Sequence, residues 1–269
     1  MSQLFRSVLF VPGSAPDRFE KAVGAGADLV CIDLEDAVLP EDKDMARQAT
    51  VEYITQVNRN VCVRINTIDS WLGQQDLSAL VKASPAYIML AKCESMEQMT
   101  TACHACSPQT KLIGLIETIE GLDQAYNIAS CADKVVALMF GGADMAAELR
   151  CDFSFQPLLF ARSQLVLAAA KAGVDVIDVP YVDFKDLDGL FEETKAVKSL
   201  GFTGKAAIHP NQVATIHLGF TPSAEQVAYA ECVMAAVDGH DAGVVVVKGK
   251  MVDKPIIVAS ERILALAKH

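Results

Sequence analysis

The stretch Lys111-Leu-Ile-Gly-Leu-Ile116, followed at once by Glu117, predicts a short buried strand. A second buried strand is predicted for Val135-Val-Ala-Leu-Met-Phe140, and Asp144 follows closely after it. A helix-like stretch, Thr118–Ser130, separates the two. A strand–helix–strand order makes the strands parallel, so their carboxyl ends meet at one edge of the sheet. We therefore expect Glu117 and Asp144 to lie close together.

The same alternation of apolar runs and amphipathic stretches continues along most of the chain. It amounts to eight strand–helix units in about 215 residues, with one helix, Phe155–Ala172, between the sixth and seventh strands. This count predicts an α/β fold, a (β/α)₈ TIM barrel. An open doubly wound sheet is the alternative, but it usually carries a Gly-rich turn after its first strand. The turn here, Val11-Pro-Gly-Ser-Ala-Pro16, has one glycine and favours the barrel.

The chain is expected to have two regions, a catalytic barrel domain over residues 1–220 and a C-terminal extension over residues 221–269. The extension contains a predicted helix (Pro222–Val237), a hairpin and a final helix (Ala259–Lys268). About 50 residues are too few for an independent core. We expect the extension to pack on its own barrel or on a neighbouring subunit.

Composition excludes several classes of partner. The 269 residues carry a formal net charge of −11, which argues against nucleic acid and anionic membranes. No apolar run approaches the ~20 residues that a membrane span needs. The start of the chain has no signal-peptide pattern, and the eight cysteines are scattered without a disulfide or zinc spacing. We therefore expect a cytoplasmic protein.

Polar and charged residues collect where the predicted strands end. In a TIM barrel the active site lies at this rim. Acidic residues after strands are also common helix caps, Lys92 has carboxylates nearby to pair with, and His209 before Pro210 suits a packed turn. The census of strand ends is Asp33, Glu35, Asp36, Arg64, Asn66, Lys92, Glu94, Glu117, Asp144, Asp178 and His209.

Three of these residues are the strongest candidates for a site. Glu117, Asp144 and Arg64 each follow a strongly apolar strand, and a buried charge without a partner is costly. A cation together with an anionic ligand would satisfy all three. Carboxylates and water suit Mg²⁺ or Mn²⁺ rather than Zn²⁺. With two protein ligands, such an ion keeps positions for water and for an α-keto or α-hydroxy acid.

In this order the motifs resemble the citrate lyase beta-subunit-like family of the HpcH/HpaI aldolase superfamily, which includes malyl-CoA and citramalyl-CoA lyases. The resemblance covers nearly the whole chain. The motifs that carry it are Arg6-Ser-Val-Leu-Phe-Val-Pro-Gly13, Asp33-Leu-Glu-Asp-Ala-Val38 with Lys43 and Ala46-Arg47, Val63-Arg-Ile-Asn66, Leu115-Ile-Glu117, Gly141-Gly-Ala-Asp144, Ala207-Ile-His-Pro-Asn-Gln212 and Gly249-Lys-Met-Val-Asp253.

The resemblance implies roles for the barrel residues. Glu117 and Asp144 would hold Mg²⁺, and Glu117 would thereby also take part in substrate binding. Arg64 would contact the carboxylate or the thioester oxygen of the substrate and act in catalysis. The catalytic pair Glu35 and Asp36 would orient waters on the metal.

It also implies an assembly and a thioester partner. The family forms trimers or multiples such as hexamers. Asp253 matches a catalytic aspartate of the tail that reaches the active site of a neighbouring subunit. The region near Pro12–Lys21 would lie beside CoA, which makes Arg18 and Lys21 candidate phosphate contacts.

The implied reaction is a reversible Claisen-type cleavage of a 3-hydroxyacyl thioester to an α-keto acid and an acyl thioester. Three other functions remain open at this point. The chain could be the beta subunit of a citrate lyase complex that acts on an acyl-carrier-protein (ACP) thioester, or a metal-dependent aldolase on free hydroxy-keto acids. A non-catalytic barrel is the third, and the intact charged set argues against it.

Overall fold

The computed structural model describes residues 5–57, 61–237 and 244–267. Contacts divide the chain into two compact units, Met1–Gly219 and Phe220–His269. Among the residues described, no helix is both long and apolar enough to cross a membrane.

Eight parallel strands close into a barrel in the first unit, each hydrogen-bonded to the next in chain order and the last to the first. This order confirms the predicted (β/α)₈ barrel and excludes the open doubly wound sheet. The strands are Ser7–Pro12 (β1), Leu29–Asp33 (β2), Val61–Ile65 (β3), Tyr87–Leu90 (β4), Lys111–Ile116 (β5), Val135–Phe140 (β6), Asp175–Asp178 (β7) and Gly204–Ala207 (β8).

Helices connect the strands on the outside of the barrel, and short 3₁₀ turns at Pro16–Arg18 and Pro40–Asp42 precede the first two of them. The helices are Phe19–Val23 (α1), Lys43–Val57 (α2), Trp71–Ala83 (α3), Met96–Ala105 (α4), Ile119–Ser130 (α5), Gly142–Leu149 (α6), Leu159–Ala172 (α7), Leu187–Leu200 (α8) and Gln212–Phe220 (α9), the last of which ends at the first residue of the second unit.

Apolar side chains fill the barrel interior. Because successive strand residues face opposite sides, alternate residues point to the barrel axis. Every strand contributes at least one buried residue to this core: Val8, Cys31, Cys62, Met89, Leu115, Met139, Ile177 and Ala206.

The second unit is a helix, a two-stranded hairpin and a helix. The elements are Ala224–Val237 (α10), Val245–Val247 (β9), Lys250–Val252 (β10) and Lys254–Leu266 (α11). A small cluster around Val233, Val247 and Val252 joins them. The packing of this extension on its own barrel or on a neighbouring subunit stays a prediction.

Several helix starts differ from the sequence prediction, and so does one whole helix. The helix before β7 begins at Leu159 rather than Phe155, because Gln156, directly before Pro157, is disfavoured in helical conformation. The last helix begins at Lys254 rather than Ala259, since proline is tolerated in a first helical turn. The sequence pattern does not predict helix α6, which carries Asp144.

Candidate active site

Three charged residues continue the inward-facing rows of the barrel core. Two residues beyond the buried Cys31, Cys62 and Leu115 stand Asp33, Arg64 and Glu117. Since side chains alternate along a strand, a step of two keeps the same face. The three side chains therefore belong to the mouth of the barrel, at the carboxyl ends of β2, β3 and β5.

Arg64 is held by Asp33, the residue opposite it in the parallel pairing of β2 with β3. Arg64 Nε and Nη2 donate to the two Asp33 carboxylate oxygens at 2.7 and 2.6 Å. The guanidinium carbon lies 5.4 Å from the centre of the Phe10 ring. Burial lowers the pKa of Arg64, but the bonds and charges of Asp33 and Glu35 outweigh it, so the pKa is raised. The guanidinium is thus fixed as a permanent cation.

Glu35 lies between two cations. Its carboxylate is 3.1 Å from Arg64 Nη1 and accepts a bond of 2.8 Å from Lys92 Nζ. It also accepts from the backbone amide of Asp36 at 3.1 Å. The carboxylate of Asp36 is 3.9 Å from Arg64 and is largely exposed. Of the acidic pair predicted from the sequence, Glu35 is therefore the buried, fully engaged member and Asp36 the accessible one.

A buried lysine supports the loop that carries this pair. Lys43 Nζ donates to the carbonyls of Leu34 and Glu35 at 2.8 and 2.7 Å, and to Asn66 Oδ1 at 2.9 Å. These bonds tie the end of β2 to the end of β3. They hold Glu35 beside Arg64 while the lysine itself lies beneath the loop.

Lys92 links the two buried glutamates of the mouth. It follows β4 in a left-handed backbone conformation, with a φ of 47°. Its amide donates to Glu117 Oε1 at 2.8 Å, while its ammonium donates to Glu35. Residues other than glycine rarely adopt this conformation, and where they do the strain often marks a functional position.

Glu117 has surroundings that oppose its charge. Burial raises its pKa, the amide of Lys92 lowers it, the charges of Glu35 and Asp144 raise it, and Arg64 lowers it. The net effect is a pKa of about 8 for a carboxyl group that is 2% exposed. A cation beside Glu117 would supply the missing counter-charge.

Asp144 approaches from the neighbouring strand. It lies in the first turn of α6, which begins directly after β6, the partner of β5. The turn between them needs Gly141, because a Cβ there would stand 2.3 Å from Glu117 Cβ and 2.7 Å from Glu117 Oε2. The glycine allows the two strand ends to bring a buried and a half-buried carboxylate into electrostatic contact.

Asp178, another strand-end carboxylate, lies in a separate ion-pair cluster. It is fully buried and accepts from Arg162 Nε at 2.8 Å and from Lys205 Nζ at 2.6 Å. Lys205 also bonds Glu193 of α8 at 2.7 Å. These partners come from β8 and the outer helices. The cluster therefore joins strands to helices and is not part of the barrel mouth.

His209 is an exposed turn residue whose ring is stacked and hydrogen-bonded. Its ring stacks on Phe184 at 4.9 Å, and its Nδ1 is 2.6 Å from Asn211 Oδ1. This geometry agrees with the turn role predicted for His209 from the sequence.

The remaining candidates are Arg18, Lys21 and Asp253. Arg18 and Lys21 are exposed around the start of α1. Asp253 precedes α11 in the second unit, where it is the N-cap residue without a side-chain capping bond. Their roles stay predictions.

Sequence reasoning missed the part played by Asp33 and left Lys92 undecided. Asp33 lies directly opposite Arg64 in the pairing of β2 with β3. The sequence alone does not reveal this register, so the contact could not be predicted. The two contacts of Lys92 could not be predicted either, because they are made from a left-handed backbone conformation that nothing in the sequence requires.

Comparison with known proteins places this site in a family. The family model described as HpcH/HpaI aldolase/citrate lyase matches residues 6–210, which include every barrel residue of the mouth. The chain belongs to this family. The protein is accordingly a carbon–carbon lyase, as the names of similar family members indicate.

Relatives similar over nearly the whole chain carry more than one activity. The mitochondrial citramalyl-CoA lyase of Mus musculus is 32% identical over 97% of this chain and 86% of its own length. A (3S)-malyl-CoA thioesterase of Cereibacter sphaeroides is 35% identical over 98% of this chain and 95% of its own. The names of the relatives thus leave open which thioester is the substrate.

Solved structures are also similar to this chain, among them one that covers its whole length. It is CitE from Mycobacterium tuberculosis in complex with magnesium, acetoacetate and coenzyme A. The TM-score is 0.88 at 32% identity, with 100% of both chains covered. The similarity extends the family fold over the C-terminal extension as well as the barrel.

Proposed function

We propose that the protein is a Mg²⁺-dependent lyase that cleaves a 3-hydroxyacyl thioester, such as malyl-CoA, citramalyl-CoA or a citryl thioester. The products would be an α-keto acid and an acyl thioester. The observation that carries the proposal is Glu117, a buried carboxyl group with a pKa near 8, facing a fixed Arg64 at the barrel mouth. The complex of the similar CitE with magnesium, acetoacetate and coenzyme A supports it.

The donors of the mouth fit a hard divalent cation. Glu117 and Asp144 would hold it through carboxylate oxygens, which suit Mg²⁺ and also Mn²⁺. Over the described ranges, no three His, Cys, Asp or Glu side chains are grouped to hold a metal. Two protein ligands leave the positions that a substrate needs. The bound ion would supply Lewis-acid polarisation of substrate oxygens.

Arg64 would stabilise the oxyanion that develops on the substrate. Its contacts with Asp33 and Glu35 use three of the five N–H donors of a guanidinium, so two remain for a substrate oxygen. A donor held in place before the reaction needs no reorganisation and contributes about 3–4 kcal/mol. Asp33 would thus act through Arg64 by fixing its orientation.

The bond changes balance with two proton transfers. The substrate hydroxyl loses its proton, its electron pair forms the keto group, and the C–C bond breaks toward a thioester enolate. We propose that a water oriented by Asp36 takes the hydroxyl proton and that Asp253 gives a proton to the enolate carbon. Asp253 would come from a neighbouring subunit of a homotrimer or hexamer, and Arg18 and Lys21 would contact CoA phosphates.

A panel of thioesters assayed for two products tests the function. Purified protein with Mg²⁺ is given malyl-CoA, citramalyl-CoA and citryl-CoA, and both keto acid and free thiol are measured. A lyase releases keto acid and no thiol. Release of thiol without keto acid would show a thioesterase, and cleavage of only carrier-protein thioesters would show a citrate lyase beta subunit. Cleavage of free hydroxy-keto acids alone would show an aldolase.

Metal-site variants complete the test. Glu117→Ala and Asp144→Ala should each abolish Mg²⁺-dependent release of keto acid. Unchanged turnover in either variant would contradict the metal assignment.

A further inference from the structure

Lys92 contacts two buried glutamates from an unusual backbone conformation. Its amide is committed to Glu117 Oε1 and its ammonium to Glu35 Oε1, both at 2.8 Å. The backbone of Lys92 is left-handed, with a φ of 47°, a conformation that is unfavourable for a lysine. Strain of this kind persists where surrounding contacts over-determine the residue. The contacts on both glutamates meet that description.

Glu35 is a further carboxylate of the mouth, close enough to act electrostatically on Glu117. It is 6% exposed, and its charge acts on Glu117 together with that of Asp144. Its Oε2 faces Arg64 and the amide of Asp36. The only contact that the structure records for Oε1, among the described residues, is the ammonium of Lys92.

We propose that Lys92 is a positioning residue that keeps Glu35 out of the coordination shell of a cation held by Glu117 and Asp144. The inference rests on the proposed function. A carboxylate deprived of its ammonium partner, buried and beside a divalent cation, would take that cation as its new counter-charge. It would then fill a coordination position that the substrate requires. The lysine thus preserves a site with two protein ligands.

The proposal predicts that removing the ammonium of Lys92 changes metal affinity and turnover in different ways. Removing a lysine with only a structural role would lower both. Without the ammonium, the mouth loses a positive charge and gains a ligand, so Mg²⁺ should bind at least as tightly as before. The number of waters on the metal should fall by one, and kcat should fall by about tenfold or more, as for other residues that orient metal ligands. Loss of structure would instead weaken binding and turnover together.

The test uses Lys92→Met in the full-length protein, with Lys92→Gln as a second neutral variant should the first fold poorly. Calorimetry with Mg²⁺ alone gives the affinity, and proton relaxation with Mn²⁺ counts metal-bound waters. We expect an equal or lower Kd, one water fewer and a reduced kcat. Lys92→Arg, which keeps a cation beside Glu35, should restore the water and most of the turnover.

Two further variants test whether the effect of Lys92→Met depends on Glu35 and is specific to Lys92. Adding Glu35→Gln to Lys92→Met removes the freed carboxylate and should return the lost water. Lys195→Met removes another lysine paired with a glutamate, Glu192 at 3.1 Å on α8, and should leave all three quantities at their wild-type values.

Either of two results would overturn the inference: weaker Mg²⁺ binding by Lys92→Met, or an unchanged water count. The proposed function would survive both, because the wild type would still bind Mg²⁺ and release keto acid. Failure of the proposed function looks different, since the wild type itself would then bind no Mg²⁺, and this inference would fall with it.

Discussion

At the scale of single residues, Glu117 predicts how metal binding depends on pH. With a pKa of about 8, mostly due to burial, the free site holds a proton at neutral pH that Mg²⁺ must displace. The Mg²⁺ affinity should therefore weaken by about tenfold for each pH unit below 8. Calorimetry from pH 6 to 9, in buffers of different ionisation enthalpy, measures both affinity and proton release. A flat profile would contradict the assignment of Glu117 as a ligand.

The same carboxyl group predicts a stability effect of known sign in the metal-free protein. Between its ordinary pKa of 4.5 and the folded value of about 8, the folded state holds a proton that the unfolded state lacks. The free energy of unfolding should then fall as pH rises through this window, by at most about 1.4 kcal/mol per pH unit. Denaturant unfolding in EDTA should show this slope in the wild type and lose it in Glu117→Gln. An identical slope in both proteins would argue against the raised pKa.

Substitution of Asp33 tests whether this carboxylate contributes to catalysis by holding Arg64. Asp33→Asn keeps the shape but removes the carboxylate that holds Arg64, so we expect kcat to fall by about 10- to 100-fold. Asp28→Asn is the matched control, because Asp28 binds the guanidinium of Arg6 through two bonds of 3.0 and 2.9 Å before β2, at the opposite end of the barrel. Both variants should lose stability, and only Asp33→Asn should lose activity. Equal kcat in both would remove Asp33 from the mechanism.

At the scale of elements, the junction of β6 with α6 predicts the effect of a single methyl group. Gly141→Ala would place a Cβ 2.3 Å from Glu117 Cβ, so the strand ends must move apart. We expect Mg²⁺ affinity to fall about tenfold as the two carboxylates lose their alignment. Gly24→Ala, whose Cβ would have its nearest contact at 3.4 Å, should bind Mg²⁺ like the wild type. Normal affinity in Gly141→Ala would show that the carboxylates need no such junction.

Elements also show what sequence could and could not predict. β5 and β6 have the predicted bounds, because strands buried on both faces appear as unbroken apolar runs. Helix α6 was missed, because it starts with glycine and carries no side-chain cap. The strand-end rule brought Arg64, Glu35 and Glu117 to one place. Lys92 was left undecided, since its role depends on a backbone dihedral.

At the scale of the whole molecule, the barrel explains why the carboxyl ends of different strands share one site. It does not explain which chain supplies the proposed proton donor, Asp253. Asp253 belongs to the second compact unit and precedes α11. If it serves a neighbouring subunit, as proposed, each active site combines Glu117 of one chain with Asp253 of another. The site then becomes a property of the oligomer rather than of the chain.

Mixing two inactive variants tests this arrangement. Glu117→Gln and Asp253→Asn should each be inactive alone. In oligomers with random composition, a site is intact when its barrel comes from an Asp253→Asn chain and its neighbour is a Glu117→Gln chain. Equal mixing makes about a quarter of the sites intact, so co-expression should restore about a quarter of wild-type turnover. If Asp253 instead serves its own barrel, every site keeps one defect and the mixture stays inactive, which would place the complete site within a single chain.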